Sequence, residues 1–206
     1  QEIGFVWCST RYENEMKIKD NFLDDIHLTK LDGLIDNPYF SWYLQKEQVL
    51  GADDGCWLRH LIYDENMPAS IIYGSVSEIF KDYLKYVSLC RITVNLLLKQ
   101  ETPSISDFHT DFEHDIDISD ETKITTAIFY LNTNNGATEF KDGDRIDCVR
   151  NRLIMFPTLT PHRAIGQTDV SYRIVLNFNF IMWEWNNMIM ETYAERLQKR
   201  KGGKMS

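Results

Sequence analysis

The sequence predicts an α+β protein in which helices precede a double-sheet jelly-roll core. Before about residue 90, apolar residues recur mostly at helical spacing; from Arg91 onward the period shortens and turn signals recur at close intervals. The chain has 206 residues, 43% of them hydrophobic, which is enough for one compact domain. We expect a single domain over 1–206, with a helical support (about 1–90), a jelly-roll core (about 91–181) and a C-terminal helix and basic tail (about 182–206).

Three segments have the spacing of amphipathic helices. In residues 21–35 the apolar side chains share one helical face, and Asp24 is a suitable N-cap. Residues 75–89 carry one apolar stripe, formed by Val76, Ile79, Phe80, Tyr83, Leu84 and Val87. The third segment, residues 185–199, is expected to pack outside the core.

Eight short strands are expected in the second part of the chain. They fall at about 91–98, 105–109, 123–132, 136–140, 145–149, 152–156, 161–166 and 171–180. Turn dipeptides separate several of them: Asn135-Gly136, Asp142-Gly143 and Arg150-Asn151. This many short strands over about ninety residues is typical of a double-stranded β-helix, the jelly-roll or cupin-like core.

The distribution of charge argues against a nucleic-acid partner. The net charge is −9, and the segment from Glu101 to Thr122 holds eight acidic residues and no lysine or arginine. Such a surface repels phosphates. No apolar stretch is long enough to span a membrane, and no secretory pattern opens the sequence. The four cysteines have neither zinc-type nor disulfide-framework spacing, so we expect a soluble protein of the reducing cytoplasm.

Three residues have the types and spacing of a metal site. His109 and Asp111 are two positions apart in a predicted strand and therefore project to the same face. His162 follows the apolar strand at 152–156. Two histidines and one carboxylate make the facial triad associated with Fe(II) oxygenases, which leaves coordination sites open on one side. The other histidines are expected to be structural or surface residues: His27, His60 and His114.

Arg173 lies among apolar residues in a predicted buried strand. A buried arginine is costly unless it pairs with an anion, and its planar fork suits a carboxylate. Taken alone, an internal Asp or Glu is the favoured partner. Taken with the metal triad, a bound carboxylate ligand is favoured instead.

The order His109-x-Asp111, His162, Arg173 resembles the pattern of the 2-oxoglutarate- and Fe(II)-dependent dioxygenases. The resemblance covers about residues 88–181. It implies His109, Asp111 and His162 as the iron ligands and Arg173 as the partner of the distal carboxylate of 2-oxoglutarate.

Two further motifs are similar to the prolyl-4-hydroxylase-like branch of that family. One is the strand ending in YLN at residues 130–132; the other is the glycine-containing turn into TEF at residues 138–140. The texture also resembles that of oxygenases encoded by bacteriophages and marine microbes. The resemblance implies Fe(II), 2-oxoglutarate and dioxygen as cofactors, with ascorbate as a candidate reductant. It implies further cosubstrate contacts from Tyr130, Thr126 and Asn95.

The implied activity is hydroxylation of a C–H bond in a peptidyl (for example prolyl) or small-molecule substrate, with release of succinate and CO2. Two alternatives stay open. A cupin-like metal dioxygenase or isomerase would use no 2-oxoglutarate, and Arg173 would then pair internally with an acid. A non-enzymatic jelly-roll binding module would hold no tight iron site. The acidic segment 113–123 is expected at the mouth of the site, as a substrate loop or lid. Substrate identity and oligomeric state stay open.

Overall fold

A large antiparallel sheet with helices on one face and a smaller sheet on the other forms the centre of the protein. The computed structural model describes residues 16–45, 57–112 and 124–182, together with the backbone of Val6–Trp7. The helices are α1 (Asp25–Ile35) and α2 (Tyr73–Leu84). The strands are β1 (Val6–Trp7), β2 (Lys17–Lys19), β3 (Tyr43–Gln45), β4 (Trp57–Asp64), β5 (Met67–Pro68), β6 (Tyr86–Leu98), β7 (Ile124–Tyr130), β8 (Ala137–Phe140), β9 (Arg145–Asp147), β10 (Arg152–Pro157), β11 (His162–Ile165) and β12 (Tyr172–Met182).

The strand order is that of a folded-over β core rather than of a simple meander. Within the described part of the chain, the large sheet runs β1-β2-β10-β7-β12-β6-β4-β3, with β5 paired to β4. The small sheet runs β11-β8-β9. Each of these pairings is antiparallel. The predicted β core made of two sheets is therefore confirmed.

Alternation along the strands divides the apolar residues between two layers. On β12, Ile174, Leu176 and Phe178 pack on the helix side, in one core with side chains of α1 and α2. Val175 points to the opposite side, between the two sheets, where it joins a second and smaller core. The partners of Val175 in that core are Ile128, Tyr130, Phe140, Cys148, Ile154 and Phe156. The central sheet thus covers a helix layer with one face and the small sheet with the other.

The first predicted helix is confirmed, and the second ends earlier than its apolar stripe suggests. Asp24 caps α1, because its side chain accepts a hydrogen bond from the backbone N–H of His27 at 2.8 Å. In α2 the residues Val76, Ile79, Phe80 and Leu84 are buried as expected. The helix ends at Leu84, and its C-cap residue Lys85 has a left-handed φ of 46°. The prediction of helix through residue 89 was therefore wrong; Val87 lies on β6, where its side chain is exposed.

The mostly helical reading of the first 90 residues was also wrong for β4. This strand pairs with β6, and a short apolar run of this kind fits a helix and a strand equally well. His60 lies on β4 and is buried; its ring nitrogens contact the carbonyl of Ser41 at 2.6 Å and the hydroxyl of Ser70 at 2.7 Å. These contacts give His60 the structural role that the sequence predicts.

The strand expected at 105–109 is reduced to two isolated bridges, Ile105 with Ile165 and His109 with His162. Cys90 and Cys148 are free thiols. Several expectations lie outside the described residues: the acidic segment 113–123 with His114, the helix at 185–199, the basic tail, Cys8 and Cys56. Among the described helices, none combines the length and apolarity needed to cross a bilayer.

Truncation of Leu176, which is fully buried at the centre of the large sheet, should destabilise the fold. We expect Leu176→Ala to lower the free energy of unfolding by about 2–5 kcal/mol, because a buried leucine leaves a cavity. Leu98→Ala on the neighbouring strand is the control, since Leu98 is exposed; its effect should stay within about 0.5 kcal/mol. Urea unfolding followed by circular dichroism measures both. Equal losses would contradict this assignment of the core.

Candidate active site

His109, Asp111 and His162 come together at the edge of the small sheet. The backbones of His109 and His162 exchange two N–H···O=C hydrogen bonds of 3.0 Å each. Their rings lie 4.7 Å apart, centroid to centroid. One potential ligand atom from each of the three residues lies within 4.8 Å of the other two. The structure thus brings together the three residues that the sequence singles out.

The donor set fits a divalent transition metal. Nδ1 of His109 contacts the carbonyl of Asp107 at 3.2 Å, and Nδ1 of His162 contacts the carbonyl of Thr160 at 3.0 Å. Because a carbonyl only accepts, each Nδ1 carries the hydrogen and each Nε2 keeps a free lone pair. Oδ1 of Asp111 lies 3.8 Å from Nε2 of His162, beyond hydrogen-bond distance. Two imidazole nitrogens and one carboxylate oxygen are therefore available for an ion such as Fe(II).

The electrostatic environment favours an ionised Asp111 and a neutral His162, the forms of these side chains that can bind a metal ion. Burial acts to raise the pKa of Asp111, but His162, Arg91 and the hydrogen bonds from Thr126 and Asn179 bring that pKa below its usual value. Burial lowers the pKa of His162, and the Asp111 carboxylate opposes that shift only in part. At neutral pH the site therefore holds a carboxylate beside a neutral imidazole.

A cleft connects the two histidines of the triad, His109 and His162, with Arg173. Its outline takes in about 350 Å³ of space between atoms, open solvent included. His109 and His162 lie along it, and so does Arg173, which is only 2% exposed. Its other lining residues are Asn95, Leu97, Ile128, Thr138, Arg163, Ala164, Val175 and Asn177. The cleft therefore has metal-ligand types at one part of its wall and a guanidinium at another.

Arg173 is held without a carboxylate. Its Nε donates to Sγ of Cys148 at 2.9 Å, and its Nη2 lies 3.5 Å from both the carbonyl of Ala137 and the hydroxyl of Thr138. Among the ion pairs of the described residues, none involves Arg173. These neutral contacts orient the guanidinium but leave its charge uncompensated.

Gly136 makes room for this arginine. A Cβ atom at position 136 would lie 2.7 Å from the carbonyl oxygen of Ile165 and 3.1 Å from Cδ of Arg173. Any side chain there would collide with the backbone of β11 and displace the arginine stem. The glycine of the predicted turn is thus required for close approach.

Tyr130 lies next to Arg173 but is not among the residues that line the cleft. It is fully buried, and its hydroxyl donates to Oγ1 of Thr138 at 2.8 Å. The Arg173 guanidinium carbon lies 5.8 Å from the centre of the Tyr130 ring. Burial and the neighbouring Cys148 raise the pKa of Tyr130, although Arg173 acts in the opposite direction. Tyr130 is therefore a neutral hydroxyl one contact away from the cleft.

Thr126 lies next to Asp111. Its hydroxyl donates to Oδ2 of Asp111 at 2.7 Å and lies 2.8 Å from the hydroxyl of Thr158. It is fully buried and is not among the residues that line the cleft. The structure thus places Thr126 against Asp111, one of the three candidate metal ligands.

Asn95 lines the cleft together with a residue that the sequence reading missed, Asn177. In each amide, Oδ1 is buried and has no hydrogen-bond partner among the described residues. Two other missed residues, Asn179 and Arg91, contact Asp111. The available signal was a two-residue period of polar side chains at positions 173, 177 and 179, inside an otherwise apolar strand.

Comparison with known structures identifies the fold. No protein-family model and no curated protein matches the sequence. A viral collagen prolyl hydroxylase from Paramecium Bursaria Chlorella virus-1, in a 2OG complex, matches 82% of this chain and 96% of that one, with 15% identity and a TM-score of 0.50. A Trichoplax adhaerens prolyl hydroxylase, bound to a peptide of hypoxia inducible factor, matches 82% of this chain and 84% of that one, with 16% identity and a TM-score of 0.51.

A third structure is an oxidoreductase of the 2OG-Fe(II) oxygenase family from Burkholderia pseudomallei. It matches 81% of this chain and 84% of that one, with 12% identity and a TM-score of 0.52. The chain therefore has the jelly-roll fold of the 2OG-Fe(II) oxygenases, and prolyl hydroxylases are among the proteins that share it. This confirms the predicted fold class.

Replacement of Tyr130 should change the alkaline stability of the protein. When folding raises the pKa of a tyrosine, its neutral hydroxyl stabilises the native state. This stabilisation is complete below the unfolded pKa of about 10 and is lost as the pH rises further. The difference in free energy of unfolding between wild type and Tyr130→Phe should therefore be constant from about pH 7 to 9. It should shrink between about pH 9 and 11. Guanidinium unfolding at each pH measures it; a constant difference throughout would be inconsistent with the raised pKa.

Proposed function

We propose that the protein is an Fe(II)- and 2-oxoglutarate-dependent dioxygenase that hydroxylates a C–H bond of a peptidyl substrate, with prolyl residues as the leading candidate and a small molecule as the alternative. One observation carries the proposal. Arg173 is a buried guanidinium with no carboxylate partner in the described part of the chain, and it faces the same cleft as His109 and His162.

A buried charge without a counter-ion is unfavourable, so the position of Arg173 favours a carboxylate ligand in the cleft. The cupin-like alternative, which uses no 2-oxoglutarate, would have Arg173 paired internally with an acid. No acidic side chain of the described residues forms such a pair with it. The observation therefore supports a dicarboxylate cosubstrate over that alternative.

Each residue has a definite task in this proposal. Nε2 of His109, Nε2 of His162 and Oδ1 of Asp111 would hold the ion, and Arg173 would bind the distal carboxylate of 2-oxoglutarate. Bound Fe(II), 2-oxoglutarate and dioxygen would together supply the oxidising chemistry: one oxygen atom of O2 would convert the C–H bond to an alcohol, and the other would enter the succinate that is released with CO2. Asn95 lines the cleft, and its buried Oδ1 has no hydrogen-bond partner among the described residues; the NH2 of the same amide would donate to oxygen atoms of the cosubstrate.

The apolar part of the cleft would keep water from the reacting groups. It is formed by Leu97, Ile128 and Val175, each buried. Tyr130 would orient Thr138 by donating a hydrogen bond to its hydroxyl, which also lies near Arg173. In this proposal Thr126 holds Asp111 and makes no contact with the cosubstrate.

A peptidyl substrate is supported by the rim of the cleft and by one of the compared proteins. Arg163 stacks over the exposed ring of Phe108 at 4.3 Å and pairs with Glu139. An exposed aromatic ring beside an ion pair offers both apolar contact and hydrogen bonds, as a peptide requires. The Trichoplax adhaerens prolyl hydroxylase is itself bound to a peptide.

Loss of Arg173 should weaken cosubstrate binding without abolishing the iron site. We expect anaerobic titration of the Fe(II)-loaded protein with 2-oxoglutarate to give a visible charge-transfer band. Arg173→Gln should raise the Kd for 2-oxoglutarate about 10- to 100-fold, because a buried charged hydrogen bond contributes about 1.5–3 kcal/mol. His109→Ala should abolish the band.

Arg163→Gln is the matched control, since Arg163 also borders the cleft but is already neutralised by Glu139. Its Kd should change less than about threefold. Equal weakening in both arginine variants would mean that general positive charge, and not Arg173, binds the cosubstrate. Iron binding with no band in wild type would favour the cupin-like alternative, and no iron binding would favour the binding module.

Substrate class has its own test. We expect prolyl peptides to stimulate succinate formation from 2-oxoglutarate and to gain the mass of one oxygen atom, while free amino acids should have little effect. Mass spectrometry and succinate quantification measure both products. Stimulation by small molecules but not by peptides would move the proposal to the alternative substrate class.

A further inference from the structure

We infer that Arg91 and Asn179 form a positioning pair that determines which carboxylate oxygen of Asp111 faces the metal. This inference rests on the proposed function, because it concerns the ion that the triad would hold. The two residues lie directly opposite each other on β6 and β12, and Thr126 of β7 lies opposite Asn179 on its other side. Three adjacent strands therefore meet behind Asp111.

The hydrogen-bond network around Asn179 has only one consistent arrangement. Nε of Arg91, which can only donate, contacts Oδ1 of Asn179 at 3.1 Å. The amide oxygen is thereby fixed on the Arg91 side, so the amide NH2 must point towards Asp111. One N–H then donates to Oδ2 of Asp111 at 2.7 Å, and the other donates to Oγ1 of Thr126 at 3.0 Å.

Thr126 completes the arrangement. Because its hydroxyl oxygen already accepts from Asn179, its single hydrogen is free to donate to Oδ2 of Asp111, at 2.7 Å. The hydroxyl of Thr158 then donates to Thr126 at 2.8 Å. Oδ2 of Asp111 thus receives two hydrogen bonds.

The other carboxylate oxygen is left open. Oδ1 of Asp111 is 3.8 Å from Nε2 of His162 and 3.9 Å from Nη2 of Arg91, so neither forms a hydrogen bond with it. Two donors on Oδ2, and none on Oδ1 among the described residues, favour binding of an ion through one oxygen only. A facial triad depends on this, since a carboxylate that bound through both oxygens would occupy a site needed by the cosubstrate or by dioxygen.

Arg91 also contacts the backbone of Asp111. Its Nη2 donates to the carbonyl of Asp111 at 3.1 Å, and its guanidinium lies 5.0 Å from the ring centre of Phe112. Arg91 therefore contacts the metal-ligand residue at the main chain and, through Asn179, at the side chain. Replacement of Arg91 should therefore change the position of Asp111 as well as the charge beside it.

The test is titration of the metal-free protein with Co(II) alone, followed by its visible absorption. Asn179→Leu removes both N–H donors of the Asn179 amide while keeping a side chain of similar volume. We expect the Kd for Co(II) to rise about 10- to 100-fold, with an altered absorption spectrum. Arg91→Lys keeps a positive charge but lacks the Nε donor that fixes the amide of Asn179. We expect it to raise the Kd about 5- to 10-fold, somewhat below the range for lost outer contacts.

Asn132→Leu is the matched control. Asn132 also contacts β12 through its amide, at the carbonyl of Tyr172 (2.8 Å) and the N–H of Ile174 (3.0 Å), but it lies away from the triad. This variant should lower the thermal midpoint of unfolding and leave the Kd and spectrum of Co(II) unchanged.

The outcomes separate the inference from the proposed function. Wild type that fails to bind Co(II) would overturn the proposed metal site itself. Wild-type affinity and spectrum in Asn179→Leu, or in Arg91→Lys, would overturn the positioning role while leaving the metal site intact. If Asn179→Leu does not fold, Arg91→Lys decides, because Arg91 is partly exposed and its replacement leaves the core unchanged.

Discussion

The pairing register of β6 and β12 is the constraint on which the rest of this structure depends. It sets Arg91 opposite Asn179, Asn95 opposite Val175, and Leu97 opposite Arg173. Residues opposite each other in an antiparallel pair share a face, so the polar side chains of both strands meet on the side of the small sheet. The intervening residues of β12 pack against the helices. A slip of one residue would exchange the two faces and bury Arg173 among the helices.

Those parts of the fold that depend on local periodicity and turn chemistry were predictable. Asp24 caps α1 as the sequence indicates, and the strands β7 to β12 lie close to their expected bounds. β4 and the end of α2 were not predictable in the same way. The apolar run of β4 is too short to reveal its period, and Lys85 ends α2 in a left-handed conformation that glycine or asparagine would have signalled.

The candidate site divides along the same line. Residue type and spacing are enough to single out His109, Asp111, His162 and Arg173 as candidate site residues. The hydrogen bond from Thr126 to Asp111 is a contact that such reasoning does not predict. Which neighbour a buried hydroxyl or amide contacts is decided by cross-strand register, which a single sequence does not contain. For the same reason, the contact between Asn179 and Asp111 could not be predicted from the sequence.

Through the backbone bridge between His109 and His162, an ion bound by both rings would couple folding to metal supply. The two histidines come from distant parts of the chain, and their segments are joined at that point by two hydrogen bonds. An ion held by both rings would act as a cross-link between them, and it would bind the native arrangement in preference to the unfolded chain. By mass action, a ligand at a hundredfold excess over its Kd adds about 2.7 kcal/mol to native-state stability. The fraction of protein that stays folded would then depend on the concentration of free metal around it.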